Sequence, residues 1–513
     1  MTQSFAEFTP YTGFNTMNSS NNLTIFTGGQ YMKRKRITAL LMSAFMAVSM
    51  LAGCGQESGT SADNAQNQSE DSSKDQTASD KAKDKTEDKT EKTTITVWTK
   101  DRHDAEYMQS KVDEYNATNE DNINVVYEIY SDNYPQAVDM VFQNGDAPDI
   151  FVFQEQMFRN YVNAGKYADI TPFMDSEFLE TFGSNLIDDY NVIDGKCYFI
   201  PTAATVCRLF YNKDIFARVG IEKAPETLEE MVEDAKLITS QLSGEGIYGF
   251  AANMKGAQSA LSRSLMKQGE RELGIKFGYD FGEGRYDFTG YESLVSAWRT
   301  LMSSECAFPG CESLDIDPLR TQFADGKIGM YISYTHAEPG VYVNQFPMEQ
   351  EWGCAQLPVT DGKVLGAEHY QPMNGYLFNA ESKHLEEAWK VYRAIFTNVD
   401  VLKGYYEGGF GISTVPAVID GSSPARYYLD NPDLLIGTTD AVYPSTPQEA
   451  NVDAVVVEGM NMYDTMAELI WGNGDIAAGL KDLTERYNNA LDAGIAEGIG
   501  SEIKINGFDP MNP

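Results

Sequence analysis

Between Ile95 and Phe153 the apolar pattern changes period four times. Ile95-Thr96-Val97-Trp98 is a short β-prone run, and Ala105, Met108, Val112 and Tyr115 then recur at helical spacing. Residues 123–130 are rich in β-branched and aromatic side chains, 135–144 again fit a helix, and Ile150-Phe151-Val152-Phe153 reads as a buried strand. Parallel neighbours need a crossover helix between them, so strand–helix–strand–helix–strand at this spacing implies an α/β body with a parallel sheet. Such sheets take ligands outside the C-terminal ends of their strands. The residues just after Trp98 and Phe153 are therefore candidates for a site.

The start of the chain reads as an address. Lys33-Arg34-Lys35-Arg36 precedes seventeen uncharged residues, Ile37 to Gly53, and then Leu51-Ala52-Gly53-Cys54 closes the segment. A basic stretch, an apolar stretch and small residues before a cleavage point make a secretory signal. Seventeen residues diluted by small polar ones are short for a spanning helix. The Leu-Ala-Gly-Cys tetrad resembles the bacterial lipobox, which implies diacylglycerol on the Cys54 thiol and cleavage before it. Residues 1–31 do not fit a signal peptide. Met32 directly precedes the basic cluster, and Gly28-Gly29 can be encoded by GGAGG, a ribosome-binding sequence. Met32 is therefore expected to be the start, with 1–31 a leader and 32–53 the signal peptide.

Residues 55–93 hold no apolar side chain larger than Ala and carry ten acids and six bases. Such a segment cannot bury enough surface to offset its ordering entropy, so 54–93 is expected to be a disordered tether. A two-chain lipid anchor holds firmly, and the tether would let a folded body work at the outer face of the cell membrane.

Charge excludes some partners. Asp and Glu number 76 against 39 Lys and Arg, a net of −37. That surface repels phosphate backbones, so no nucleic-acid partner is expected. Four His and six Cys leave little material for a metal cluster, and no metal or cofactor is expected. Beyond Cys54 the cysteines are 197, 207, 306, 311 and 354, an odd set. Cys306 and Cys311 could close a small loop, or all could be thiols.

Further along, Thr227 and Glu230 have capping-box spacing before the stripe Leu228, Met231, Val232 and Ala235. Leu385, Ala388, Trp389, Tyr392, Ile395 and Phe396 form a second helical stripe, and Ile476, Leu480, Leu483 and Tyr487 a third. No His-Glu-x-x-His, Gly-x-Ser-x-Gly or P-loop occurs. Gly472-Asn473-Gly474-Asp475-Ile476-Ala477 matches a relaxed dinucleotide pattern, but it follows the helix-like stretch from Tyr463 to Trp471. It is read as a helix–helix turn.

Several segments together resemble the extracellular solute-binding proteins of bacterial ABC importers, in particular the carbohydrate-binding family 1, and among them the maltodextrin-binding proteins. Gly145-Asp146-Ala147-Pro148-Asp149-Ile150 is similar to the family's Gly-x-x-Pro-Asp turn into a strand. Tyr211-Asn212-Lys213-Asp214-Ile215-Phe216, with Gly220-Ile221 and Pro225-x-Thr227, resembles its most specific signature. Gly246 to Phe250, Phe323-x-x-Gly326-Lys327-Ile328-Gly329-Met330, Glu387-Ala388-Trp389-Lys390 and Gly408 to Pro416 follow in the family's order.

The resemblance implies a two-lobed periplasmic-binding-protein-like fold of type II with hinge crossovers. Lobe 1 would hold 94–203 and 372–425, and lobe 2 would hold 206–368 and 432–513. It implies capture of a sugar or oligosaccharide without catalysis, delivery to ABC permease subunits, and a monomer.

Sugar rings stack on aromatic faces, and their hydroxyls need paired donors and acceptors. Trp98, Lys100, Asp101 and Arg102 offer that set after the first strand, with His103 beside them. Phe153, Gln154 and Glu155 offer it after the third, and the corresponding loops contact sugar in maltodextrin-binding relatives. The alternative for Trp98 and Phe153 is simple core packing. His336 stands where the family often has a stacking Trp, and Tyr334 where it has Gly, so Tyr334 could supply a replacement ring. Asn374-Gly375 replaces a common Gly-Gly, and either could bond ligand. The competing readings are an exported glycoside-acting lipoprotein enzyme and a ligand-binding partner of a membrane sensor.

Overall fold

The computed structural model describes residues 92–130 and 134–513. The leader, the signal segment, Cys54 and nearly all of the tether lie outside them. The tether gives up its last residue, because Thr93 pairs with Ile123 and begins the first strand.

Strand β1 (Thr93–Thr99), helix α1 (Ala105–Thr118), β2 (Ile123–Ile129), α2 (Tyr134–Asn144) and β3 (Ile150–Val152) follow the order that periodicity predicts. Helix α3 (Glu155–Asn163) comes next. β2 and β3 both pair with β1 in parallel, and β1 lies between them. The chain thus returns to one side of β1 through α1 and crosses to the other through α2. The strand order reverses at β1/β3, which opens a crevice beyond the ends of those two strands. Asp149 fixes the entry to β3. Its Oδ2 accepts from Thr96 N at 2.9 Å and Thr96 Oγ1 at 3.0 Å, and its Oδ1 accepts from Ser382 Oγ at 2.6 Å. These bonds are the physical work of the Pro148-Asp149 turn.

A second sheet follows the short strand β4 (Ala203–Thr205). It contains β5 (Cys207–Asn212), β6 (Tyr248–Phe250), β7 (Ile328–Tyr334) and β8 (Trp352–Ala355), in the order β8-β5-β7-β6. β7 runs antiparallel to β5 and parallel to β6, and its residues 328–333 are all buried, as a strand covered on both faces requires. Helix α4 (Leu228–Leu242) carries the expected capping box: Thr227 Oγ1 accepts from Glu230 N at 3.1 Å while Glu230 reaches back to Thr227 N.

Strands β9 (Gln371–Met373), β10 (Tyr376–Phe378) and β11 (Ile412–Ser413) return the chain. β10 completes the first sheet beside β3, whereas β9 and β11 flank β4 in a small third sheet. Val206 alone separates β4 from β5, and Asn374-Gly375 alone separates β9 from β10. The small sheet is therefore where the chain passes between the two large ones. This is the two-lobed α/β fold of the type II binding proteins, with crossovers as its hinge. Asn374 has φ 57°, a left-handed conformation that Asn tolerates better than most residues. A Cβ on Gly375 would lie 2.2 Å from the Phe199 ring, so no side chain fits there.

The late stripes are core. Trp389 packs among Phe173, Phe178 and Tyr392. Helices α5 (Met462–Trp471) and α6 (Ile476–Ala496) flank the Gly472–Asp475 segment, and Asp475 caps α6 by accepting from Ala478 N at 3.0 Å. That is the helix–helix turn the sequence suggests. The five described cysteines are free, buried thiols, Cys306 and Cys311 among them. No described helix is long and apolar enough to cross a membrane.

Arg208 on β5 is a fully buried charge. Its Nη1 donates to Glu368 Oε2 at 2.8 Å, its Nη2 to Asp440 Oδ2 at 2.6 Å and its Nε to the Asp433 carbonyl at 2.7 Å. All three side chains of the ionic triad have no solvent exposure. The triad ties β5 to two distant segments of chain.

Candidate binding site

The crevice at the β1/β3 reversal is the mouth of a cavity of about 650 Å³. Lys100 and Asp101 reach it from the end of β1, and Phe153, Gln154 and Glu155 from the end of β3. Tyr334 and His336 enter from the end of β7, and Asn374 from the hinge.

Trp98 and Arg102 stand elsewhere. Trp98 is still inside the ladder, paired with Glu128 and Phe151, so its ring lies on a sheet face. It is buried, its Nε1 donates to Glu128 Oε2 at 2.7 Å, and its ring sits 4.0 Å from Tyr130. Arg102 is exposed, and its Nη2 lies 3.5 Å from Asp317 Oδ2.

Phe153 is only 9% exposed. One side faces the cavity, and the rest packs on Phe199, Phe158 and Tyr190 at centroid distances of 4.4, 5.3 and 5.6 Å. It is both wall and core. Gln154 beside it buries its Oε1 with no hydrogen-bond partner among the described residues. An unmet buried acceptor in a cavity wall is a group waiting for a donor.

Glu155 opens α3 and accepts from Gln371 Nε2 at 2.9 Å through Oε2. Burial, and then the neighbouring Glu449 carboxylate, hold its carboxyl above the ordinary value, against the pull of Lys276. Burial also works to raise Asp101, but the Lys100 ammonium 3.2 Å away and the His103 ring outweigh it and hold that carboxyl low. His336 Nδ1 lies 3.0 Å from Thr205 Oγ1, and its ring lies 5.2 Å from that of His103. Burial, followed by the nearby His103, holds His336 well below the ordinary imidazole value, so it is neutral here. Tyr334 is pushed up to about 12 by burial.

Among the other lining residues are Arg263, Phe277, Glu449 and Tyr463, none of which belongs to a motif that points to a binding site. Arg263 lays its guanidinium 5.0 Å from the centroid of the Tyr334 ring. Glu449 belongs to a capping box that is visible as Thr446-x-x-Glu449. Its Oε2 accepts from Thr446 N at 2.7 Å, which leaves Oε1 to meet Lys276 Nζ at 2.9 Å. That spacing signals a helix start and says nothing of a cavity. Arg263 sits between the fully buried Leu261 and Leu265, where only three-dimensional packing reveals its exposure. Among the described residues no cluster of three or more His, Cys, Asp or Glu is placed to hold a metal ion.

Fold and site together define a two-lobed binding protein, with its cavity at the strand ends and the hinge. The profile of the family described as bacterial extracellular solute-binding protein matches residues 99–399, and the chain belongs to that family. It is 25% identical over 355 residues to a binding protein of Brucella abortus (strain 2308), covering 68% of this chain and 80% of that one. Two solved structures share the fold at 17% identity. One, an ABC transporter solute-binding protein from Thermotoga lettingae bound to α-D-tagatose, has a TM-score of 0.61 over 78% of this chain and 100% of the other. The other is the maltose/maltodextrin-binding domain MalE of Bdellovibrio bacteriovorus bound to maltotriose, with a TM-score of 0.59 over 79% of this chain and 100% of the other.

Proposed function

We propose that this chain captures a sugar or oligosaccharide at the outer face of the cell membrane and hands it to ABC permease subunits. A diacylglycerol on Cys54 would anchor it, and the acidic segment after it would serve as the tether. The lobes would be 94–203 with 372–425, and 206–368 with 432–513. In support of that division, the first pair of ranges holds nearly the whole first sheet and the second pair holds all of the second.

The observation that carries the reading is the cavity wall. Its volume of about 650 Å³ lies within the range of small-molecule sites, about 300–1,000 Å³. The wall alternates rings (Phe153, Phe277, Tyr334, Tyr463) with polar groups that still have bonding capacity (Gln154, Asn374, Arg263). Rings suit the C–H faces of a sugar, and the polar groups suit its hydroxyls. The sugar ligands of the Thermotoga and Bdellovibrio proteins agree with this chemistry.

A thermal-shift screen of the soluble body over mono- and oligosaccharides tests the proposal. A ligand at 100 times its dissociation constant adds about 2.7 kcal/mol to the folded state, enough to raise Tm visibly. A panel in which no sugar raises Tm would contradict it. A glycoside-acting enzyme is a second reading, because Glu155 and Glu449 bring two carboxyl groups to one cavity. Release of shorter products from an oligosaccharide, lost in Glu155→Gln, would establish that reading.

A further inference from the structure

We propose that the sugar taken by this cavity is an acidic one, a uronate-bearing oligosaccharide whose carboxylate pairs with Arg263. The inference rests on the reading of the cavity as a sugar site.

The charges around the cavity can be taken in turn. Lys100 and Asp101 neutralise each other at 3.2 Å, and Lys276 and Glu449 do so at 2.9 Å. The deeply buried Lys267 and Arg320 are matched in the same way, to Glu270 at 2.9 Å and Glu338 at 2.8 Å, while buried Arg271, outside the cavity wall, is held by the Leu357 carbonyl and Gln356 Oε1. Of the two Lys and Arg side chains that line the cavity itself, Lys100 and Arg263, Arg263 is the one without a carboxylate. Its Nε donates to the Ser259 carbonyl at 2.7 Å and its Nη2 to Ser259 Oγ at 3.2 Å. Among the described residues no carboxylate stands within ion-pair distance of it. In a chain with 76 Asp and Glu against 39 Lys and Arg, an unmatched guanidinium is not the result of scarce carboxylates.

The geometry around Arg263 is that of a prepared receptor. Ser259 holds the guanidinium from behind, and the Tyr334 ring supports it at 5.0 Å from the centroid. A fork fixed on two sides loses little freedom when it binds, and its remaining N–H groups match the two oxygens of a carboxylate. A neutral hydroxyl can accept one of those bonds but supplies no counter-charge as the cavity loses water. Of the three carboxyl groups in this wall, Asp101 and Glu449 are paired with lysines, and Glu155 accepts from Gln371 on the hinge strand β9.

The test is a set of matched pairs, measured by calorimetry on the soluble wild-type body: oligogalacturonides, aldouronates from glucuronoxylan, and hyaluronan fragments, each against the same oligosaccharide with its carboxyls reduced to alcohols. The proposal expects at least one acid to bind about 10- to 100-fold more tightly than its reduced partner, the range for charge-assisted hydrogen bonds. Arg263→Gln should erase that preference by weakening the acid far more than its reduced partner, at an unchanged ligand-free Tm. Arg263→Lys keeps the charge but loses the fork, and should restore only part of it. Tighter binding of a neutral sugar than of every acid, or an acid preference that survives Arg263→Gln, would overturn the assignment to Arg263 while leaving sugar capture intact. If no member of any pair binds and the neutral screen is also silent, the underlying reading of the cavity fails instead.

Discussion

Arg208 is fully buried and Arg263 half-buried, and the two differ further in the kind of partner each meets. Arg208 meets two carboxylates and two carbonyls with no exposure to water. Arg263 meets a ring, a carbonyl and a hydroxyl, and no carboxylate among the described residues. A buried charge with its partners in place is part of the scaffold, since removing one partner strands the others. Groups left short of partners in a cavity wall, such as Arg263 and the Oε1 of Gln154, keep their bonding capacity for something that arrives later. The first region ought to respond to mutation in stability and the second in affinity.

The largest effect is expected at the scaffold. Arg208→Ala leaves Glu368 and Asp440 buried without their cation and should cost about 3–5 kcal/mol of stability, read by urea unfolding. A loss below 1 kcal/mol would show that the triad is not the closed network described. Phe153 lies on the boundary between the two regions. Phe153→Ala should cost about 3 kcal/mol of ligand-free stability, because three rings lose their neighbour, and should also weaken sugar binding by about 5- to 150-fold. A change in only one of these two readouts would assign Phe153 to one region alone.

Gln154→Leu sharpens the contrast in the opposite direction. The variant removes an unmet acceptor, so the ligand-free protein should gain about 1 kcal/mol while binding weakens. Lost stability together with unchanged affinity would mean that the amide already serves the fold.

The smallest effect concerns pH. Burial holds His369 well below the ordinary imidazole value of 6.5, and His369 Nδ1 accepts from Tyr443 N at 3.0 Å. As pH falls through 6.5 the unfolded chain takes up a proton that the folded chain refuses. Stability present above 6.5 is then lost below it, at up to about 1.4 kcal/mol per pH unit. Glu155, with its carboxyl held high, works in the opposite direction above 4.5. The informative quantity is therefore a difference: between pH 6.5 and 5.5, His369→Gln should lose about 1 kcal/mol less than the wild type. Equal losses in the two proteins would place the proton uptake on another group.

What could be read in the chain before its structure follows from how local each signal is. The alternation from Ile95 to Phe153 was sufficient for the parallel sheet, and the capping box at Thr227 was visible as a spacing. The same period of two that revealed β1 could not say where its ladder ends. Trp98 lies inside the ladder and Phe153 just beyond the last pair of β3, so two similar aromatic residues end in different places. Asn374 could be suspected because its left-handed φ is what Gly-Gly would otherwise supply. Arg263, Phe277 and Tyr463 reach the cavity only through the packing of segments far apart in sequence, and no short-range pattern marks them. Arg102 looked like a ligand donor by type and neighbourhood, but it turns outward to Asp317.

The central claim, that a sugar occupies the cavity at the ends of β1 and β3, is tested most directly by filling that cavity. Ser262 lines it and is half-buried, so Ser262→Trp would place an indole where the ligand should lie. The measurement is calorimetric titration of the best sugar from the screen into wild type and Ser262→Trp, with Tm recorded for both. The account predicts binding reduced at least about 100-fold in the variant at an unchanged ligand-free Tm, a loss of about 2.7 kcal/mol. A sugar that binds both proteins equally would contradict it.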